Sequence, residues 1–137
     1  MAITQNKAVL PQNPFSRTAV ASTAETAFHA PTSVVDLLDA ADNLNSARIT
    51  RLYAIPRAQV ATACNVQLYA RVGSTYTLID SALMATVSPS ASVANGRTDF
   101  GVSLASPMEL EPGVGLAVAI GQTIANGVVV RCEGGLY

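Results

Sequence analysis

The stretch 48–79 constrains the fold of this chain more than any other part of the sequence. Over 66–72 every second residue is apolar and the residues between them are polar or aromatic. A period of two with one apolar face is typical of a half-buried strand. A short turn at 73–75 follows, and 76–79 return with aromatic and β-branched residues that suit a pleated sheet. We therefore predict a β-hairpin here.

Strand and turn signals repeat along the rest of the chain. Pro56 ends the strand that precedes the hairpin, because proline cannot donate to a ladder. Asn95-Gly96 is a turn signal, and Glu111-Pro112-Gly113 has proline and glycine where a type II turn prefers them. Further strands are predicted at 23–30, 49–55, 98–104, 116–120 and 128–132, and residues 81–87 continue the hairpin with apolar residues. Seven or eight short strands without helix alternation indicate an all-β fold, a single β-sandwich (jelly-roll-like) domain over 23–137.

Residues 1–22 are predicted to form an extended N-terminal arm. Two prolines and an asparagine break regular structure there, and the apolar residues Val9, Leu10 and Phe15 follow no period. These three side chains are candidate arm contacts, either with the domain itself or with a neighbouring subunit. A disordered tail is the alternative.

Residues 33–44 allow two interpretations. Their apolar residues fit a helical stripe, and Ser33 with Asp36 resembles a capping box. The alternative is a strand over 33–38 followed by a loop rich in Asp and Asn. We favour the strand, because the surrounding sequence is all-β.

The composition points to assembly. Only 12% of the residues are charged, about half of the ~25% in an average soluble domain, while 50% are hydrophobic. Large exposed apolar patches usually mark contact with a partner, so we predict a homo-oligomer or a subunit of a larger body. An alanine-rich core under a Ser/Thr/Asn surface is the alternative. The net charge of −1 predicts no nucleic-acid partner and no attraction to acidic lipid.

The uncharged segment 112–130 invites comparison with a membrane helix. It contains four glycines and several polar residues, and its apolar residues alternate. We predict two strands joined by a polar turn, and no membrane partner.

Cys64 and Cys132 are the only cysteines. Two thiols without a CxxC spacing do not make a metal site. They are predicted to be free thiols, and an internal disulfide or bridges between subunits remain the other possibilities.

No residue set predicts catalysis, a cofactor or a metal. His29 is the only histidine, and the sequence has no GxSxG nucleophile elbow. Asp36, Asp39 and Asp42 repeat every three residues, but a calcium loop spaces its ligands differently and ends in a bidentate Glu. A solvated loop is the favoured interpretation. The four tyrosines are predicted to serve core and interface packing rather than a sugar- or base-stacking platform. They are Tyr53, Tyr69, Tyr76 and Tyr137.

The order of these segments resembles that of known proteins. ARITRLYAI (47–55), the hairpin NVQLYARVGSTYTLI (65–79), the segment LEPGVGLAVAI (110–120) and the terminal VVVRCEGGLY (128–137) follow each other. This order is similar to small virion structural proteins of tailed bacteriophages, of the capsid decoration or cement type. The resemblance covers most of residues 23–137.

The resemblance implies a location on the virion capsid surface and no catalytic residues. It implies binding to the major capsid protein or other virion subunits, and self-association, with a trimer favoured. Two alternatives remain. One is a structural protein of the phage neck or tail. The other is a β-sandwich carbohydrate-binding module, which predicts an exposed aromatic platform.

Overall fold

Residues 10–137, the part of the chain that the computed structural model describes, fold into two antiparallel β-sheets. In chain order the strands are β1 (Asn13–Ala21), β2 (Val35–Leu38), β3 (Ala47–Pro56), β4 (Cys64–Val72), β5 (Thr75–Met84), β6 (Thr98–Asp99), β7 (Met108–Leu110), β8 (Gly115–Ile120) and β9 (Val128–Leu136). A 3-10 turn, Ala40–Asp42, follows β2.

The strand order is that of a jelly roll. The first sheet has the order β1-β9-β3-β6, and β7 also pairs with β3, along the same edge as β6. The second sheet has the order β2-β8-β4-β5. β6 and β7 together occupy one strand position, so each sheet holds four positions. The predicted all-β sandwich is confirmed.

The core lies between the two sheets. β3 buries every second side chain, with Ile49 and Leu52 on either side of an irregularity, and β9 alternates in the same way. The second sheet contributes Leu68 from β4 and Val118 from β8, both without solvent exposure. Apolar side chains that meet between two sheets supply the main driving force for such a fold.

The pairing of β3 with β9 contains a β-bulge. Ile49 pairs with Gly134 and Arg51 pairs with Glu133, so Thr50 is the extra residue. At this point the backbones approach so closely that a Cβ on Gly134 would lie 1.9 Å from the carbonyl oxygen of Arg48. The sequence prediction ended the last strand at residue 132, whereas β9 continues through Leu136, because Gly134 fits against the bulge in β3 and Gly135 leaves room for Pro11.

The predicted arm without regular structure over 1–22 is wrong for residues 13–21. These residues form β1, which pairs antiparallel with β9 along its whole length. Pro14 is compatible with this position because β1 is an edge strand. Phe15 packs against the core, Leu10 is 56% exposed, and Val9 lies outside the described residues.

The strand predicted over 23–30 is also wrong. Residues 22–34 form a loop that leaves the first sheet and enters the second, with a single bridge between Ala24 and Ile120. The strand favoured over 33–38 is confirmed as β2. The strand predicted over 98–104 is limited to β6, and the chain then leaves the sheet.

Two of the predicted turns are confirmed, whereas Asn95-Gly96 lies in an irregular stretch without an assigned turn. Gly73 and Ser74 connect β4 to β5, and the positive φ of 61° at Gly73 places glycine at the first central position of the turn. At the second turn Val114 N donates to the carbonyl of Glu111 at 3.2 Å, and Gly113 has φ 81°, as a type II turn requires. Within residues 10–137 no helix is long and apolar enough to span a membrane.

We expect Gly134→Ala to lower the free energy of unfolding by at least about 2 kcal/mol, since the added methyl overlaps the Arg48 carbonyl and forces the two strands apart. Gly121→Ala is the matched control, because its Cβ would meet Asn65 at an ordinary 3.4 Å. Urea denaturation of both variants measures the difference. Equal stabilities would show that the bulge does not need glycine.

Candidate functional site

The outer face of β4 is buried, contrary to the half-buried strand predicted from its sequence. Gln67 and Tyr69 alternate with the core residues of β4, yet neither has solvent exposure. The loop 22–34 lies against this face, where Tyr69 packs with Val34, Tyr76 and the small side chains of β8. A loop that returns over the sheet therefore explains why both faces of β4 are buried.

Glu25 holds the loop 22–34 in place. Its carboxylate accepts hydrogen bonds from the backbone N–H groups of Ala27 at 3.0 Å, Thr32 at 2.8 Å and Ser33 at 2.7 Å. The bond from Ser33, together with those from Ala27 and Thr32, lowers the pKa of Glu25, although burial acts in the opposite direction. The charged carboxylate is therefore the form that the fold stabilises.

A chain of polar contacts joins Glu25 to the sheet. Gln67 Nε2 donates to the carbonyl of Glu25 at 2.9 Å, and the Tyr69 hydroxyl donates to Gln67 Oε1 at 2.5 Å. Glu25 N donates to the carbonyl of Ile120 on β8 at 2.7 Å. These buried groups are satisfied by one another, so their arrangement is structural. Sequence reasoning missed them, because the partners of Glu25 are mainly backbone groups.

The two cysteines are separated by the sandwich. Cys64 begins β4 in the second sheet and Cys132 lies in β9 of the first, and both are buried free thiols. Burial raises the pKa of Cys132 to about 11. The favoured prediction of free thiols agrees with the structure, which places neither sulfur at a surface where another subunit could reach it.

The remaining polar candidates do not converge. His29 is exposed in a turn of the loop 22–34. Asp36 pairs with Arg71 at 2.6 Å, Asp39 accepts from Ala41 N at 3.0 Å, and Asp42 lies 3.7 Å from an arginine of β1. Among residues 10–137 no group of three or more His, Cys, Asp or Glu side chains is placed to hold a metal ion.

The four tyrosines lie in different parts of the sandwich. Tyr53 is on β3 and Tyr137 follows β9, both in the first sheet, whereas Tyr69 and Tyr76 belong to the second. Tyr69 is fully buried. The structure therefore does not bring the four rings together on one surface.

The exposed face of the first sheet pairs its charges internally. Arg48 forms an ion pair with Glu109, Arg131 reaches Glu133 at 3.3 Å, and Arg97 pairs with Asp99 of β6 at 2.9 Å. The guanidinium of Arg97 stacks on the Tyr53 ring, 4.3 Å from its centroid. Arg48–Glu109 joins β3 to β7, and such a cross-strand pair of opposite charge stabilises the sheet itself, whereas the other two pairs lie within one segment.

The second sheet ends in a different kind of surface. β5 is its edge strand, ten residues long, and among residues 10–137 it pairs with β4 alone. Leu78, Ile79 and Leu83 are 38%, 43% and 70% exposed. Asp80 is the one charged residue of the strand. A long apolar edge is a template for pairing with another chain.

The other sheet edges are protected in ways that β5 is not. β1 carries Pro14 and a charged arginine, and β2 has four residues with an irregular register. At the far side of the first sheet, β6 and β7 have two and three residues. Prolines, charges and short strands are the usual means of blocking edge pairing. The free edge of β5 is therefore the candidate functional site of residues 10–137.

A groove of about 510 Å³ lies beside the end of β5. Residues 82–87 form one wall and residues 95–99 form the other, with Pro56 between them. Its charged residues, Arg97 and Asp99, are paired with each other at 2.9 Å. The groove lies beside the apolar edge and adds no uncompensated charge to it.

Comparisons of the chain with protein-family models, with curated proteins and with solved structures find no match.

We expect Glu25→Gln to lower the free energy of unfolding at pH 7 by about 2 kcal/mol, because the amide loses the charge that accepts three N–H groups and turns a donor towards them. Glu111→Gln is the control, since Glu111 is exposed. Urea denaturation reports both values.

The same pair tests the pH dependence. Because the pKa of Glu25 is lowered from 4.5 on folding, its stabilisation is complete above that value and is lost as the pH falls through the folded pKa. The difference in stability between wild type and Glu25→Gln should therefore shrink from pH 7 to pH 3. A difference that stays constant would contradict the role of the charge.

Proposed function

We propose that this chain is a non-enzymatic virion structural protein, a capsid decoration or cement subunit that binds the outer shell of a tailed phage head and copies of itself. The observation that carries the proposal is the free edge of β5. It combines a ten-residue strand, whose second edge has no partner among residues 10–137, with exposed Leu78 and Leu83 and a single charge.

The energetics of this edge favour a permanent partner. Burying one leucine or isoleucine side chain contributes about 1.5–3 kcal/mol relative to leaving it exposed. Leu78, Ile79 and Leu83 share one strand, so a partner that covers all three gains several kcal/mol before any backbone hydrogen bond is counted. With 12% charged residues in the whole chain, little of the surface opposes such contact electrostatically.

The fold is compatible with this role. Jelly rolls occur in viral capsid proteins and in lectins, so the fold alone does not choose between a shell subunit and a carbohydrate-binding module. The choice rests on the β5 edge, which suits a protein partner, and on the sequence resemblance to decoration proteins.

Quantitative mass spectrometry of purified virus particles from the genome that encodes this chain tests the proposal. We expect a copy number equal to that of the major shell protein, or a simple fraction of it, because a decoration protein covers the whole shell. A few copies for each particle would instead support the neck or tail. Absence from the particles would refute a virion role.

A surface variant links the particle to the β5 edge. We expect Leu83→Lys to reduce the amount of protein bound to particles at least about tenfold, since the substitution removes an apolar contact and buries a charge. Leu44→Lys is the matched control, because Leu44 is 75% exposed in the loop before β3. Equal binding of the two variants, measured by sedimentation with particles, would exclude the β5 edge as the contact.

A further inference from the structure

We propose that β5 pairs with β5 of a second copy of this chain, antiparallel about a two-fold axis at Ser81, so that two second sheets become one continuous sheet. The inference deepens the proposed function, on which it rests, by naming the occupant of the edge. The free backbone groups, the side chains beside them and the capping of Ser81 each support it.

Alternate residues of β5 direct their backbone groups away from β4. Val72 and Thr75 flank a two-residue turn and face each other, and residues in this position exchange hydrogen bonds within the hairpin. The register then shifts at Ile79, and Asp80 pairs with Leu68. Counting outwards through this bulge, the residues with free N–H and C=O groups are Tyr76, Leu78, Ser81 and Leu83.

One observation supports this count independently. The N–H of Ser81 donates to the Oδ1 of its neighbour Asp80 at 2.8 Å. A backbone N–H that bonds to an adjacent side chain is not committed to the ladder with β4. Ser81 therefore presents its backbone to the open edge, and Asp80 caps it there.

The edge is complementary to itself in one register. The bulge makes Ile79 and Asp80 together occupy one position along the edge. With Ser81 on the two-fold axis, Leu78 of each copy therefore lies opposite Leu83 of the other, and Asp80 lies opposite Ala82. The two-fold axis repeats this Leu78–Leu83 pair, so the exposed leucines of both copies are covered. Cross-strand apolar pairs of this kind stabilise antiparallel sheets.

Neighbouring registers are less favourable. Moving the axis to Asp80 would set two carboxylates directly opposite each other, which is destabilising. Moving it to Leu78 would pair Tyr76 with Ser81 and leave Leu83 without a partner. The two-fold arrangement at Ser81 avoids both defects.

A second copy suits this edge better than an open-ended chain of copies. A two-fold contact uses the same edge in both partners and closes on itself. The other long edge, β1, carries Pro14 and Arg17, which disfavour its addition to β5. The net charge of −1 leaves little repulsion between copies.

Asp80 regulates the contact in this arrangement. In the single chain its carboxylate occupies the Ser81 N–H, whereas in the dimer that N–H donates to the Ser81 carbonyl of the second copy. The cap and the partner therefore compete for one donor. Removing the cap should tighten the dimer, which is the opposite of what loss of an ordinary interface residue does.

Disulfide trapping tests the register on the full chain. Ser81→Cys places two thiols at the axis, where Cα atoms of a hydrogen-bonded pair lie about 5.5 Å apart, within the range of a disulfide. We expect a covalent dimer on a non-reducing gel after mild oxidation. Thr75→Cys, at the far end of β5, should stay monomeric, as should wild type, whose two thiols are buried. Cross-linking of Leu78→Cys in place of Ser81→Cys would overturn the register.

Sedimentation equilibrium tests the competition. We expect Asp80→Ala to lower the dimer dissociation constant about tenfold, because it removes the charged acceptor of the Ser81 N–H. Asp80→Asn retains an acceptor for the cap and should bind more weakly than Asp80→Ala. Unchanged or weaker dimerisation of Asp80→Ala would overturn the competition between cap and partner.

Two further variants test whether the edge itself is the contact. Ser81→Pro removes the outward N–H without removing a donor of the ladder with β4, so it should abolish the dimer, and Leu83→Lys should weaken the dimer at least about tenfold. Circular dichroism establishes that each variant is folded. A folded Leu83→Lys variant that dimerises as wild type would overturn the proposal.

The virion role and the self-contact can fail separately. A Ser81→Cys dimer from a chain absent from virus particles would refute the virion role and support the self-contact. A particle-bound chain without any cross-link would support the virion role and refute the self-contact.

Discussion

The fold depends on the pairing of β9 with both of its neighbours. β9 is the last strand of the chain and lies between β1 and β3, with hydrogen-bonded partners along almost its whole length on either side. Without it the first sheet has no continuous ladder, and the core loses the buried side chains of Val128, Val130 and Cys132. The close approach at Gly134 fixes the register, because only glycine leaves room for the bulge in β3.

Local interactions explain which elements could be predicted from the sequence. The β4–β5 hairpin has its turn and both strands within one short stretch, so alternation and a glycine turn were sufficient. β1 was mistaken for part of an arm, because the partner that makes it a strand is at the other end of the chain. The buried face of β4 was mistaken for a solvent face, because Gln67 and Tyr69 are polar and the loop that covers them is distant in sequence. For the candidate site, the low charge of the chain predicted assembly, but only the strand order shows that β5 is an edge.

The exposed surfaces of the two sheets differ in their charges and in what covers them. The first sheet places arginines next to glutamates and aspartates, so its charges are neutralised within the chain. The second is covered by the loop 22–34 as far as β4, held by Glu25, and is left open at β5. The loop therefore does two things. It protects β8 and β4 from solvent, and it confines the unprotected part of the sheet to a single strand.

The central position of β9 also affects the timing of folding. Synthesis proceeds from the N-terminus, so β1 and β3 exist for some time before the strand that joins them. During that interval both have unpaired edges that face no native partner. Pairing between strands so distant in sequence is slow to form, and the first sheet is completed only after residues 128–136 leave the ribosome. The newly made chain consequently exposes edges of β1 and β3 that the native fold covers, and completion of the first sheet leaves the edge of β5 as the one most open to another molecule.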